Sequence, residues 1–273
     1  MASSGNQPLV RFGIITDIHF SLEGDFAADL RASLDEWQGN AVDFVMQLGD
    51  LVYGSEMHKE EEFRQVSSIL KEFPGTIRHV LGNHCLALPR QVLMEALSLQ
   101  SPFYSFSVEG FRFFVLDGMD VSVLRLPEAA EDVQALAVFH AHPELHDYCG
   151  AIGAHQKEWL SRELASAESA GEKVIVVCHF PLLPETTDQK HGLLWNHREI
   201  SELLASFPAV KVCLSGHYHH GGYARYRGIN FVVLPAFVNR QEHPRFSSGM
   251  VELQERRMVI QNQRHEIFCD LAW

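Results

Sequence analysis

Five short polar clusters carry the side chains from which this chain of 273 residues could build a cation site: Asp17-Ile18-His19, Gly49-Asp50, Gly82-Asn83-His84, Cys178-His179 and Gly216-His217-Tyr218-His219. Carboxylate, imidazole and amide oxygen are hard or borderline donors, suited to Mn²⁺, Fe, Zn²⁺ or Co²⁺. No thiolate stands among them, unlike a structural zinc site. Taken singly, each cluster is ordinary: an Asp at a strand end usually caps or turns. Five in succession, each directly after an apolar run, point to a pair of divalent ions. Asp50 is the natural bridge between two cations spaced about 3.5–4 Å apart.

Such a site needs strands that deliver all five clusters to one edge, because sheets of this kind present ligand sites at the carboxyl ends of their strands. Apolar runs over residues 10–16, 44–48, 76–81, 173–178 and 210–214 supply them. Residues i and i+2 of a strand share a side, so Asp17 and His19 can hold one ion together, and so can His217 and His219. Gly49, Gly82 and Gly216 are expected to let the backbone turn sharply. Helical periodicity marks 26–37, 55–73, 154–168 and 196–206, with Pro74-Gly75 and Gly171 as stops. Residues 103–108 and 111–116, split by Glu109-Gly110, read as a hairpin. Further β-like runs follow at 229–234, 249–253 and 257–261, and 121–150 is the least patterned stretch. Alternating helices and strands, then crowded strands, predict an α/β fold with a two-sheet core flanked by helices. A loose tail over 1–8 and one domain over 9–273 complete the expected organisation.

The bulk numbers fit a soluble protein in the size range of a single α/β domain. An apolar content of 46% can bury a large core, and a net charge of −13 without a basic stripe argues against a nucleic-acid scaffold. Bound cations would offset part of that charge, so an anionic substrate stays compatible with it. Five cysteines without a Cys-x-x-Cys pair predict free thiols, and the first residues carry neither the basic nor the apolar part of a secretory signal. No apolar stretch approaches the roughly 20 residues of a membrane span. A cytoplasmic setting is expected, and oligomeric state stays open.

The order Asp-x-His, Gly-Asp, Gly-Asn-His, His, Gly-His-x-His resembles the calcineurin-like metallophosphoesterase superfamily across residues 14–219. That resemblance implies a four-layer αββα sandwich of two mixed sheets and a two-metal phosphoester hydrolase. It implies Asp17, His19, Asp50 and His219 on one ion and Asp50, Asn83, His179 and His217 on the other, with His84 facing the leaving group. Residues 43–50 (DFVMQLGD), 116–122 (LDGMDVS), 179–184 (HFPLLP), 194–196 (LWN) and 216–223 (GHYHHGGY) are similar, more narrowly, to the manganese-dependent ADP-ribose/CDP-alcohol diphosphatases. That group carries Gln at His19, acidic residues at Tyr53, Cys85 and His220, and an insertion near 125–150 that this chain lacks.

The substrate implied is a small nucleotide-type diphosphate, cleaved at its pyrophosphate by a water whose pKa two cations lower to roughly 7. A cyclic-nucleotide phosphodiesterase is the runner-up, and a catalytically weak metal-binding scaffold the alternative from another class. His220, Trp195 and Asn196 are candidate substrate contacts; a helix N-cap is the plainer role for Asn196. An uncharged Tyr53 is expected to leave the His84 ring less firmly oriented. Asp117 and Asp120 could support ligands or simply make a turn. Phe103, Phe106, Phe111, Phe113 and Phe114 read as core and hairpin packing.

Overall fold

A computed structural model describes residues 8–54, 56–127, 129–188, 192–243 and 245–273. The expected tail, apart from Pro8, and the expected helix start at Ser55 lie outside the described residues. The chain runs β1 (Val10–Ile15), α1 (Phe26–Gly39), β2 (Phe44–Gln47), α2 (Lys59–Leu70), β3 (Ile77–His79) and α3 (Arg90–Ala96). The hairpin β4 (Tyr104–Val108) and β5 (Phe111–Leu116) follows, then α4 (Ala130–His140), α5 (Ala154–Ser169), β6 (Lys173–Cys178), α6 (His197–Ala205) and β7 (Val210–Ser215). The rest is β8 (Gly222–Tyr226), β9 (Ile229–Val233), β10 (Ser248–Gln254), β11 (Arg257–Asn262) and β12 (Ile267–Ala272).

These strands make two six-stranded mixed sheets, ordered β12-β11-β10-β1-β2-β3 and β4-β5-β6-β7-β9-β8. In the first, β1, β2 and β3 run parallel. In the second, β5, β6, β7 and β9 do. Period-two alternation decides the layers. Phe12, Ile14, Phe44 and Met46 of the first sheet meet Phe113, Val115, Ile175, Val177, Val212 and Leu214 of the second in the central core. The intervening Ile15 and Val45 face outward onto Leu30, Leu34 and Trp37 of α1 and Phe63, Val66 and Ile69 of α2. Phe114, Val174 and Val176 face the opposite way, onto Leu160 and Leu164 of α5 and Ile200 and Leu204 of α6. The expected αββα sandwich is the observed one.

Aromatic rings fill the seam between the sheets. Phe12 stacks on Phe44 with centroids 4.9 Å apart, and Phe106 on Phe113 at 4.8 Å, the packing role expected of the second pair. Four elements escape the sequence patterns, α3, α4, β8 and β12. Among the described side chains of α4 only Asp132 and Leu136 are buried while Val133 and Val138 are exposed, so its apolar residues form no single face to detect. The helix α3 spans only 7 residues, and β12 is an edge strand whose Ile267 is exposed. Among the described residues no helix is long and apolar enough to cross a membrane. All five cysteines are free thiols.

Candidate metal centre

The five clusters converge where the parallel strands of both sheets end. Asp17 and His19 follow β1, Asp50 follows β2, and Asn83 and His84 follow β3; His179 follows β6, and His217 and His219 follow β7. Backbone hydrogen bonds lace these loops together. Asp17 N–H donates to the Gly49 carbonyl at 3.1 Å and His19 N–H to that of Asp50 at 3.0 Å. Gly216 N–H donates to His179 O at 2.9 Å, and Val238 N–H to Asp17 O at 3.1 Å.

Four candidate ligands sit in left-handed backbone conformations: Asp17 at φ 48°, His19 at 42°, Asp50 at 52° and His217 at 65°. A non-glycine residue held there costs about 1–3 kcal/mol, and such strain gathers at functional sites. The glycines divide differently from expectation. Gly49, at φ 110°, does supply a turn that other residues avoid. Gly82 and Gly216 have no positive φ; they are glycines because a Cβ there would collide with the Asp50 carboxylate and with Thr16 and Asp17 respectively.

Three overlapping triads have ligand atoms within 4.8 Å of one another: Asp17, His19 and His219; Asp50, His179 and His217; and His19, Asp50 and His84. In the first, His19 Nε2 and His219 Nε2 each lie near Asp17 Oδ1, at 3.6 and 3.7 Å, and 3.2 Å from each other. In the second, His179 Nε2 is 3.2 Å from both Asp50 Oδ2 and Asn83 Oδ1. Asp50 Oδ2 is also 3.7 Å from His19 Nε2, so Asp50 stands between the groups. His217 and His219 therefore face different groups. The i, i+2 argument fails for them because residues 216–221 form a turn, not a strand.

Asp17, His19, Asp50, Asn83 and His179 are all buried. Burial would raise the Asp17 carboxyl, but His179 and His19 beside it bring it down to about 2. Asp50 is likewise pushed up by burial and held well below the carboxylate range by His179 and His19. His179 is pushed down by burial, yet the Asp50 and Asp17 carboxylates lift it to about 9. Its Nδ1–H donates to the Leu48 carbonyl at 2.9 Å, which turns Nε2 into the cluster. Asp17 Oδ2 accepts from Thr16 Oγ1 at 2.5 Å and from His217 N–H at 2.9 Å, whereas the buried Oδ1 has no hydrogen-bond partner. A buried carboxylate oxygen without a hydrogen bond, among imidazole nitrogens, is what a cation would satisfy. The residues present fit a pair of divalent ions.

His84 borders the cluster, its ring centroid 4.5 Å from that of His19. Its backbone N–H donates to Asp50 Oδ1 at 2.9 Å, and its Nδ1–H to the Tyr53 carbonyl at 2.7 Å. Tyr53 thus does orient the imidazole, through its main chain, which no side-chain comparison reveals. Gly54 N–H in turn donates to the buried Glu62 at 3.3 Å.

The candidate substrate contacts separate. His220 is exposed, 3.2 Å from His243. Trp195 and Asn196 are buried and engaged elsewhere: Trp195 Nε1–H donates to His146 O at 3.2 Å, and Asn196 exchanges hydrogen bonds with the Ile152 backbone at 3.1 and 2.9 Å. They fasten the segment 146–152. Asn196 makes no side-chain capping bond to α6, although it stands at the cap position. Asp117 shapes its own turn by accepting from Met119 N–H at 3.0 Å, and it faces Arg125 and Arg90 at 3.5 and 3.8 Å. Thr16 and Cys149, whose sulfur lies 3.8 Å from His217 Nε2, were not singled out by sequence. Thr16 adjoins Asp17 and could have been noticed; Cys149 carries no local signal.

The profile of the calcineurin-like phosphoesterases matches residues 10–221. A manganese-dependent ADP-ribose/CDP-alcohol diphosphatase of Arabidopsis thaliana is 31% identical over 82% of this chain and 84% of its own length. The protein of that name from Homo sapiens is 24% identical over 81% of this chain and 80% of its own. The crystal structure of a dimetal phosphatase from Danio rerio superposes with a TM-score of 0.86, covering 98% of this chain and 100% of that one at 23% identity. GAP50, the anchor in the inner membrane complex of Plasmodium, shares the fold at a TM-score of 0.65 and 12% identity, over 97% of this chain and 89% of its own. With a family match that takes in every strand-end cluster described above, the chain belongs to the calcineurin-like phosphoesterases and is a metal-dependent enzyme of that family.

Proposed function

We propose that this protein, as one catalytic unit over residues 9–273, hydrolyses the pyrophosphate or phosphodiester bond of a small nucleotide-type substrate such as ADP-ribose or a CDP-alcohol. Asp17, His19, Asp50 and His219 would hold one cation and Asp50, Asn83, His179 and His217 the other, with Mn²⁺ the leading candidate. The single observation that carries this reading is Asp50, set between two histidine groups and hydrogen-bonded to the backbone of His84. The diphosphatase relatives support the substrate class. When bound, such an ion pair supplies neutralisation of phosphate charge and a water activated near neutral pH.

The protein's own groups do the positioning. His179 and Asp50 keep fixed orientations through the Leu48 carbonyl and the His84 N–H. His84, anchored at Nδ1–H by the Tyr53 carbonyl, directs Nε2 away from that anchor, where the imidazolium form can give its Nε2 proton to the departing oxygen and keep the one on Nδ1. Purified protein with Mn²⁺ is expected to hydrolyse bis(p-nitrophenyl) phosphate, and Asn83→Ala and His217→Ala to lose about a hundredfold or more of that rate. A panel of ADP-ribose, CDP-choline, UDP-sugars and cyclic AMP then ranks substrates. An inert wild type across Mn²⁺, Co²⁺, Fe²⁺ and Zn²⁺ overturns the reading.

His84→Ala separates the role of that imidazole from general damage. A phosphodiester with an alkyl leaving group needs protonation, so its turnover is expected to fall by about 10²–10⁴-fold. The p-nitrophenyl ester, with its stable leaving anion, loses far less. Equal losses on both substrates in steady-state assays would remove His84 from proton transfer.

A further inference from the structure

Cys149 is fully buried, and its sulfur lies 3.8 Å from Nε2 of His217. The position is built with some care. Trp195 N–H donates to Gly150 O at 2.8 Å and Cys149 N–H to His146 O at 2.9 Å. The bridge between Val121 and Ala151 closes the segment with bonds of 3.0 and 2.8 Å. Gly192, at φ 83°, lets the chain pass over the sulfur, where any Cβ would collide with it. On the other side, the His217 ring packs against Phe180 at 4.7 Å, His179 at 5.2 Å and Tyr148 at 5.6 Å between centroids. An imidazole with one nitrogen turned toward a cation is held in the right tautomer by whatever accepts the proton on its other nitrogen.

We propose that Cys149 is a positioning residue of His217: its sulfur accepts the Nε2–H, which keeps the proton off Nδ1 and leaves that nitrogen to serve the Asp50–His179 group. The inference rests on the ligand assignment in the proposed function. It goes beyond that assignment by naming the group that fixes one ligand, a soft sulfur on a segment remote from every strand-end cluster. Sulfur is a weak acceptor, so the arrangement steadies the ring with little added pull on its electrons.

Two variants of nearly equal size isolate the effect. Cys149→Ala removes the acceptor, whereas Cys149→Ser keeps one. Each protein, stripped of metal and checked for folding by thermal melt, is titrated with Mn²⁺ by calorimetry and electron paramagnetic resonance. Wild type is expected to bind two ions. Cys149→Ala is expected to bind one of the two about 10–100-fold more weakly, the usual cost of losing a partner behind a metal-binding histidine. Cys149→Ser is expected to stay within a few-fold of wild type. Nitrogen-15 spectra of the stripped wild type are expected to place the His217 proton on Nε2. A Cys149→Ala protein that binds both ions like wild type, a serine variant as weak as alanine, or a proton on Nδ1 overturns the proposal. Wild type that binds two ions but hydrolyses nothing sinks the catalytic reading and leaves this one standing; wild type that binds no pair sinks both.

Discussion

Asp50→Asn is expected to lower hydrolysis of bis(p-nitrophenyl) phosphate by about a thousandfold or more at saturating Mn²⁺. The carboxylate does several things that an amide cannot. It lies 3.2 Å from His179 Nε2 and 3.7 Å from His19 Nε2, and its other oxygen accepts the His84 N–H at 2.9 Å. Asparagine keeps the size but removes the charge and offers one acceptor oxygen instead of two. A cation's contribution to transition-state charge stabilisation is several kcal/mol, and each 1.36 kcal/mol is tenfold in rate. Because Asp50 adjoins both histidine groups, both ions suffer. Metal content of the variant after gel filtration, measured alongside kcat/KM, checks the cause. A variant that retains two ions and near-normal turnover would remove Asp50 from the centre of the site.

Gly82→Ala is the second large effect, and it comes from one added methyl group. Its Cβ would meet the Asp50 carboxylate and stand 2.8 Å from the Asp50 backbone nitrogen. Neither atom can retreat: the nitrogen is main chain, and the carboxylate is packed against His179 and His84. Overpacking of this kind typically costs about 1–3 kcal/mol, or a Tm drop of roughly 2–12 °C in a chain this long. Any relief shifts Asp50, so activity is expected to fall at least about a hundredfold, since even a small misplacement carries that penalty. Gly39→Ala is the control, because nothing lies within 4 Å of a Cβ there and its φ is not positive. That variant is expected to melt at or slightly above the wild-type temperature. Equal behaviour of the two variants in calorimetric scans would show that the crowding at Gly82 is relieved elsewhere.

What could be read in advance follows from which interactions are local in sequence. Continuous apolar runs exposed the central strands because each is buried on both faces, and a motif at the end of each named its rim residue. The two-sheet core followed from the order of helices and strands and the αββα layering from the family resemblance; which faces of Phe12, Ile14 and Ile15 meet which layer is seen only in the structure. The turn at His217 was invisible, because a left-handed φ at a histidine has no compositional mark; strand alternation would allow His217 to share an ion with His219, whereas the two fall in different triads. Main-chain contributions were invisible for the same reason: the Tyr53 carbonyl holds His84 whatever side chain stands at 53. Trp195 and Asn196 drew attention by residue type, yet they serve to fasten 146–152, which in turn carries Cys149. Contacts between segments far apart in the chain leave no local pattern, and α4 hid because its exposed valines blur any helical face.

The rim described above is assembled from both sheets: Asp17, His19, Asp50, Asn83 and His84 come from one, His179, His217 and His219 from the other. Even the protein's own bonds there cross the divide, from His179 to Leu48 and from His217 to Asp17. Any cation gripped by both halves lends its binding free energy to keeping them clasped. The molecule's cohesion and its reactivity thus share a single keystone.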